Sequence, residues 1–114
     1  MATKKNPLSL NPLQLKTLTL LQELARSEQH AMKAEEPGGV IVTNLPRPHG
    51  DHFHVGAAIA MTKDASGLAN EAVWKALERK GLIRSAFPHA AVLTAAGLAY
   101  ETGIREQILH HAHH

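Results

Sequence analysis

The leucine-rich segment from Asn11 to Leu24 limits the folding of this chain more than any other feature. Asn11 is a good helix N-cap, and Pro12 suits the first helical position, where its missing N–H would have had no partner. The pattern predicts a helix over residues 12–30. At about 100° per residue, Leu13, Leu20, Leu24 and Ala31 form one stripe, Leu18, Leu21 and Ala25 widen it, and Leu15 lies beyond it. That arc is wider than one packing contact requires. The helix is therefore expected to touch two surfaces, the core of its own domain and a partner.

Composition supports a single domain built on aliphatic packing. The 114 residues include one Trp, one Tyr and two Phe, so Leu and Ala must supply the core. A chain of this length buries about 60–70% of its unfolded surface, enough for one core. There is no cysteine, which excludes disulfides, thiolate zinc sites and a cysteine nucleophile. No run approaches the roughly 18 apolar residues of a membrane span, and Met1 to Pro7 leads into no apolar segment, so the expectation is a cytoplasmic protein without a membrane partner. The formal net charge of +2 is small, but protonating all nine histidines would raise it by nine.

Further along, Glu35 to Gly39 is turn chemistry, and the β-branched run Val40 to Thr43 reads as a strand. Residues Pro46 to Asp51 can return the chain to a second strand from His52, with Phe53, Val55, Ala57 and Ile59 on one face and His52 and His54 on the other. Residues 55–67 fit either a continued strand or a short helix. Lys63 to Gly67 reads as a turn with Asp64 or Ser66 as a cap. A helix over 68–80 follows, with Ala69, Ala72, Val73, Ala76 and Leu77 on its core face and Gly81 as its stop. Leu82 to Arg84 and Ala91 to Leu93 read as strands around a loop at Ser85 to His89, and Thr94 caps a last helix running toward the terminal histidines.

Leu77-Glu78-Arg79-Lys80-Gly81-Leu82-Ile83 resembles the end of the recognition helix in winged-helix transcription regulators. Val92-Leu93-Thr94-Ala95-Ala96-Gly97 is similar to the end of their wing, where a strand passes into Leu-Thr-x-x-Gly and a final helix. The resemblance spans residues 53–103 and is to MarR-like and PadR-like regulators. It implies a winged helix-turn-helix with an extra β-hairpin, a mostly α fold with a small β-sheet (α+β). It also implies a homodimer that binds double-stranded DNA in transcriptional control. The wing tip, Ala86 to Ala90, lacks the Arg or Lys common in DNA-reading wings. The organisation expected is a flexible arm at 1–10, one winged-helix domain at 11–109 and a His-rich tail at 110–114.

Asn70, Trp74, Lys75, Arg79, Lys80 and Arg84 are the candidate DNA-binding residues, on the helix side away from the core face and just beyond it. Glu71 and Glu78 share that side and repel phosphate, and Glu71 with Lys75 is the favoured i,i+4 pair of a solvated helix. Trp74 also suits the core. A second candidate site is His49, Asp51, His52 and His54, which offers ligand types for Zn, Ni or Cu and would make the protein a metal-responsive regulator. A solvated hairpin tip explains the same residues. The terminal histidines could also hold a metal. No phosphate loop, helical His-Glu-x-x-His or placed Ser-His-acid set is present, so no enzyme is expected. The alternative to DNA binding is a winged-helix protein-interaction module. The last helix, with Tyr100, Ile104 and Ile108 at i,i+4,i+8 and Leu98 and Leu109 beside them, is expected to pair with the first helix across a homodimer two-fold.

Overall fold

The computed structural model describes residues 6–47 and 50–111. Helix α1 (Pro12–Leu24) opens on a reciprocal cap, in which Asn11 Oδ1 accepts from Gln14 N at 2.8 Å and Asn11 N donates to Gln14 Oε1 at 3.0 Å. Thr17, Leu18, Thr19, Leu20 and Leu21 are all buried. Five consecutive buried positions sweep more than one full turn, so this part of the helix is enclosed on every side. The chain itself thus covers the Leu18, Leu20, Leu21 and Leu24 part of the apolar arc, and Leu13, Leu15 and Ala25 are half-buried. The two buried threonines bond back to their own helix, Thr17 Oγ1 to Leu13 O and Thr19 Oγ1 to Leu15 O, both at 2.8 Å, and Thr19 also meets Thr102 Oγ1 at 2.6 Å.

The helix ends six residues before its expected limit. After Ala25 the bonds from Arg26 N to Glu23 O and from Ser27 N to Leu24 O are i→i−3, and Ala31 to Lys33 form strand β1, paired antiparallel with β2 (Val40–Val42). Ala, Met and Lys favour helix locally, so the helical stripe could be drawn through Ala31, but pairing with a β-branched strand across the Glu35–Gly39 turn overrides that preference.

The chain then leaves this sheet. Strand β3 (His52–Val55) pairs with β4 (Ala58–Met61) through a two-residue turn at Gly56 and Ala57, with Gly56 at φ +62°. The strand reading of the ambiguous segment therefore holds as far as Met61. The turn corrects the expected facing: Phe53, Val55, Ala58 and Ala60 are buried, whereas Ala57 is exposed and Ile59 is the register partner of His54. Two 3-10 turns, Thr62–Asp64 and Ser66–Ala69, follow. Neither Asp64 nor Ser66 caps a helix. Asp64 is buried against Lys16 at 3.0 Å, and Asn70 caps α2 (Glu71–Arg79), which begins three residues later than expected.

Helix α2 stops at Gly81, with φ +78°, and passes into β5 (Ile83–Ala86) and β6 (Ala90–Leu93). The first sheet is β1-β2-β6-β5, antiparallel throughout. The expected last helix is not continuous: α3 (Ala95–Ala99) and α4 (Arg105–Ile108) are separated by a bend at Tyr100 to Ile104, and β7 (His110–His111) pairs with β4 to complete the second sheet, β3-β4-β7. Tyr100, Ile104 and Ile108 therefore share no helix face. The apolar residues behind the expected homodimer are divided: Ile108 and Leu109 are buried in the chain, whereas Leu13, Leu15, Leu98, Tyr100 and Ile104 remain half-buried.

Helix α1 touches α2, both 3-10 turns, β3, β6, α3 and α4, and is the centre of this α+β fold. Of the residues read as an arm, Leu10 is buried, and Asn6 bonds to Leu10 through both its backbone groups and is also bonded by the Tyr100 hydroxyl. No helix among the described residues is long and apolar enough to cross a membrane.

The two sequence motifs after α2 lock onto each other. Thr94 N donates to Leu82 O at 3.1 Å, Thr94 Oγ1 lies 2.7 Å from Gly81 O, and the same hydroxyl accepts from Gly97 N at 3.0 Å, capping α3. A Cβ on Gly97 would stand 1.9 Å from Leu82 O. Gly97→Ala is therefore expected to lower stability by about 1–3 kcal/mol through overpacking against backbone that cannot retreat. Urea unfolding measures this, and an unchanged midpoint would contradict the packing described.

Candidate functional site

Helix α2 carries most of the residues singled out for DNA, and the structure separates them. Trp74 is fully buried, which removes it from any groove-facing set. Its indole N–H donates to Gly67 O at 3.2 Å, and its ring meets Phe87 edge-on, with centroids 5.0 Å apart. The buried arc of α2 is Val73, Trp74, Ala76 and Leu77, turned from Ala72 toward Trp74, and Ala69 and Ala72 are exposed. Trp74 thus joins the helix to the 3-10 turn below it and to the tip of the β5–β6 hairpin.

The remaining five candidates are exposed, but three are already engaged. Asn70 Oδ1 accepts from Ala72 N at 3.0 Å as the helix cap. Lys80 Nζ donates to Leu8 O at 2.7 Å, and Arg84 Nε lies 2.8 Å from Glu36 Oε1 in the β1–β2 turn. Lys75 and Arg79 have no hydrogen-bond or ion-pair partner among the described residues. The favoured Glu71–Lys75 pair is not formed within salt-bridge distance. Two cations in no ion pair among the described residues therefore stand four residues apart on α2, on one side of the helix.

The histidines lie elsewhere. His52 Nδ1 is 3.3 Å from Asp51 Oδ1, and the His52 and His54 rings meet edge-on with centroids 5.0 Å apart. His49 lies outside the described residues, as do the last three residues of the expected tail. His110 belongs to the second sheet, and its partner Ile59 is also the partner of His54, so His54 and His110 stand in one row across three strands. Sequence separation hid that row. Among the described residues no group of three or more His, Asp or Glu is placed to hold one metal ion, so Asp51, His52 and His54 do not make a site by themselves.

A groove of about 1290 Å³ was not legible in the sequence. It opens at the end of the first sheet where the chain leaves β2 and enters β6, since Val42 and Ala91 are register partners. The loop at residues 43–47 and the hairpin tip at residues 87–90 line it, and Phe53, Ala65 and Leu68 lie beneath. The available signals were Leu45 beside Pro46 in a turn segment and Phe87 at a wing tip that carries no Lys, Arg, Asp or Glu.

Comparison of the chain with protein-family models, with characterised proteins and with solved structures gives no match.

The site geometry separates positions that hold the fold from positions that only face outward. Trp74→Ala is expected to cost about 3–5 kcal/mol, as for other buried aromatics. Lys75→Ala and Arg79→Ala should each stay within about 0.5 kcal/mol of the parent, because their side chains bond to nothing in the described protein. Chemical denaturation of the three variants checks both statements.

Proposed function

We propose that this protein is a winged-helix-type DNA-binding module, acting in transcriptional control, that lays the outer side of α2 on duplex DNA. The observation that carries the reading is the pair Lys75 and Arg79, exposed and in no ion pair or hydrogen bond among the described residues, on a helix that leads directly into a two-stranded hairpin. Support also comes from strand order: β2, which precedes α2 in the chain, pairs with β6 and not with β5, giving the strand order β2-β6-β5, and β5 packs against α2. The segment before α2 is a hairpin and two 3-10 turns where a helix-turn-helix has a helix. Orientation on the duplex would then rest on α2 and the β5–β6 hairpin, with Lys75 and Arg79 meeting phosphate or base edges and Arg84 recruited by exchanging Glu36 for phosphate.

A second reading, a protein-interaction module of the same shape without DNA affinity, is favoured by Glu71 and Glu78 on the exposed side of α2 and by a hairpin tip without Lys or Arg.

The test is duplex affinity across a salt series. Replacing both Lys75 and Arg79 by Ala should weaken binding and reduce the slope of log K against log salt by about one for each phosphate no longer neutralised. Glu36→Gln should strengthen binding by releasing Arg84. Unaltered affinity and slope in the double variant would place the DNA-facing surface elsewhere. Failure of the parent protein to bind any duplex at low salt would favour the interaction module.

A further inference from the structure

The groove at the end of the first sheet has a chemistry that neither reading of α2 uses. Its walls are Leu45, Pro46, Phe53, Leu68 and Phe87, with small Ala65, Ala69 and Ala90 leaving room between them. Leu45 and Phe87 are half-buried against the core cluster, so each shows part of an apolar side chain to the groove. The polar lining consists of neutral hydroxyls and an amide, from Thr43, Asn44, Thr62 and Ser66, together with Arg47 and His89. Among the described residues lining the groove, none is acidic. Arg47 is exposed and has no ion-pair or hydrogen-bond partner among the described residues, although the protein carries ten Asp and Glu.

An apolar trough whose lining includes an arginine and, among the described residues, no acidic residue selects its occupant by charge as well as by hydrophobicity. A neutral apolar molecule would leave Arg47 unanswered, and a cation would be repelled by it. A carboxylate suits the planar guanidinium, which can donate two parallel N–H bonds to it. The space exceeds the roughly 300–1,000 Å³ of most small-molecule sites, so a compact ring acid would leave much of the trough wet. We propose that this groove binds an acyl-chain carboxylate, its chain along Leu45, Phe53, Leu68 and Phe87 and its head group at Arg47, with His89 and the hydroxyls of Thr62 and Ser66 as the other polar groups in reach of the trough. This goes beyond the DNA reading and stands without it.

The chain supplies its own reporter, because its one tryptophan, Trp74, lies edge-on beneath the groove-lining Phe87. Three probes with the same twelve-carbon alkyl tail and different heads, tridecanoate, dodecanol and dodecyltrimethylammonium, are titrated below their aggregation or solubility limits by calorimetry and Trp74 fluorescence, dodecanoate serving as the one-carbon-shorter acid. Tridecanoate should saturate at one per chain and bind at least about tenfold more tightly than dodecanol or dodecyltrimethylammonium, as one charge-assisted hydrogen-bonded pair implies. Arg47→Glu should remove that preference, and Arg47→Lys should keep part of it. Ala69→Phe, which fills the trough without altering charge, should abolish saturable binding of all three. If Ala69→Phe fails to fold, the Arg47 variants decide alone, since an exposed side chain that bonds to none of the described residues carries no packing. Equal binding of the three heads, insensitivity to Arg47→Glu, or no saturable binding of tridecanoate would overturn the proposal.

Discussion

Enclosure of α1 is the constraint on which the rest of the structure depends. A helix buried all round from Thr17 to Leu21 needs neighbours on every side there, and the two short sheets, α2 and the terminal turns supply them. Fully burying each of Leu18, Leu20, Leu21 and Leu24 contributes about 1.5–3 kcal/mol relative to exposure. The threonines between them are tolerated because their hydroxyls return to helix carbonyls or meet Thr102. Even the approach of the following turn is set by this helix, since a Cβ at Gly67 would stand 1.8 Å from Thr17 Oγ1. Gly67 then offers its carbonyl to Trp74, so the position of α2 is fixed at one remove by α1.

From that anchoring follows the division of labour along α2. One side is committed to Val73, Trp74 and Leu77, and the hairpin tip is held over the helix by the edge-on contact of Trp74 with Phe87. The other side is free to face a partner. The same contact helps shape the groove, because it places Phe87 beside the loop that leaves β2. The proposed nucleic-acid face and the proposed acyl-carboxylate site thus share Trp74 as a support while using different cations, Lys75 and Arg79 for one and Arg47 for the other.

Local chemistry was the legible part of the sequence. Asn11 with Pro12, the β-branched run from Val40, the strand start at His52, Gly81 and Thr94 each act through a backbone requirement of their own position, and each does so in the structure. What could not be read were outcomes decided by distant partners. Ala31 to Lys33 become a strand only because β2 is there to pair with them, and the terminal segment bends at Tyr100 because its hydroxyl reaches Asn6 and its carbonyl takes the Gln22 amide. Trp74 sits at the margin of a helical wheel, where a shift of the buried arc by one residue decides between core and surface. The groove is made by residues 43–47, 87–90, Phe53 and the two 3-10 turns between them, and none of these segments contains a pattern that announces a pocket. The six candidate DNA residues follow from the winged-helix resemblance and a helical wheel, neither of which shows the side-chain partners, and only Lys75 and Arg79 keep an exposed side chain that is bonded to none of the described residues.

The most direct test of the claim that α2 is the working face is a backbone amide chemical-shift titration of the labelled protein with a short mixed-sequence duplex at low salt. The account predicts that the shifts concentrate on Glu71 to Lys80 and on Arg84, with the amides of Val55, Ala60 and Leu20 unmoved. Shifts confined to the second sheet around His54 and His110, or to the groove at residues 43–47, would contradict it.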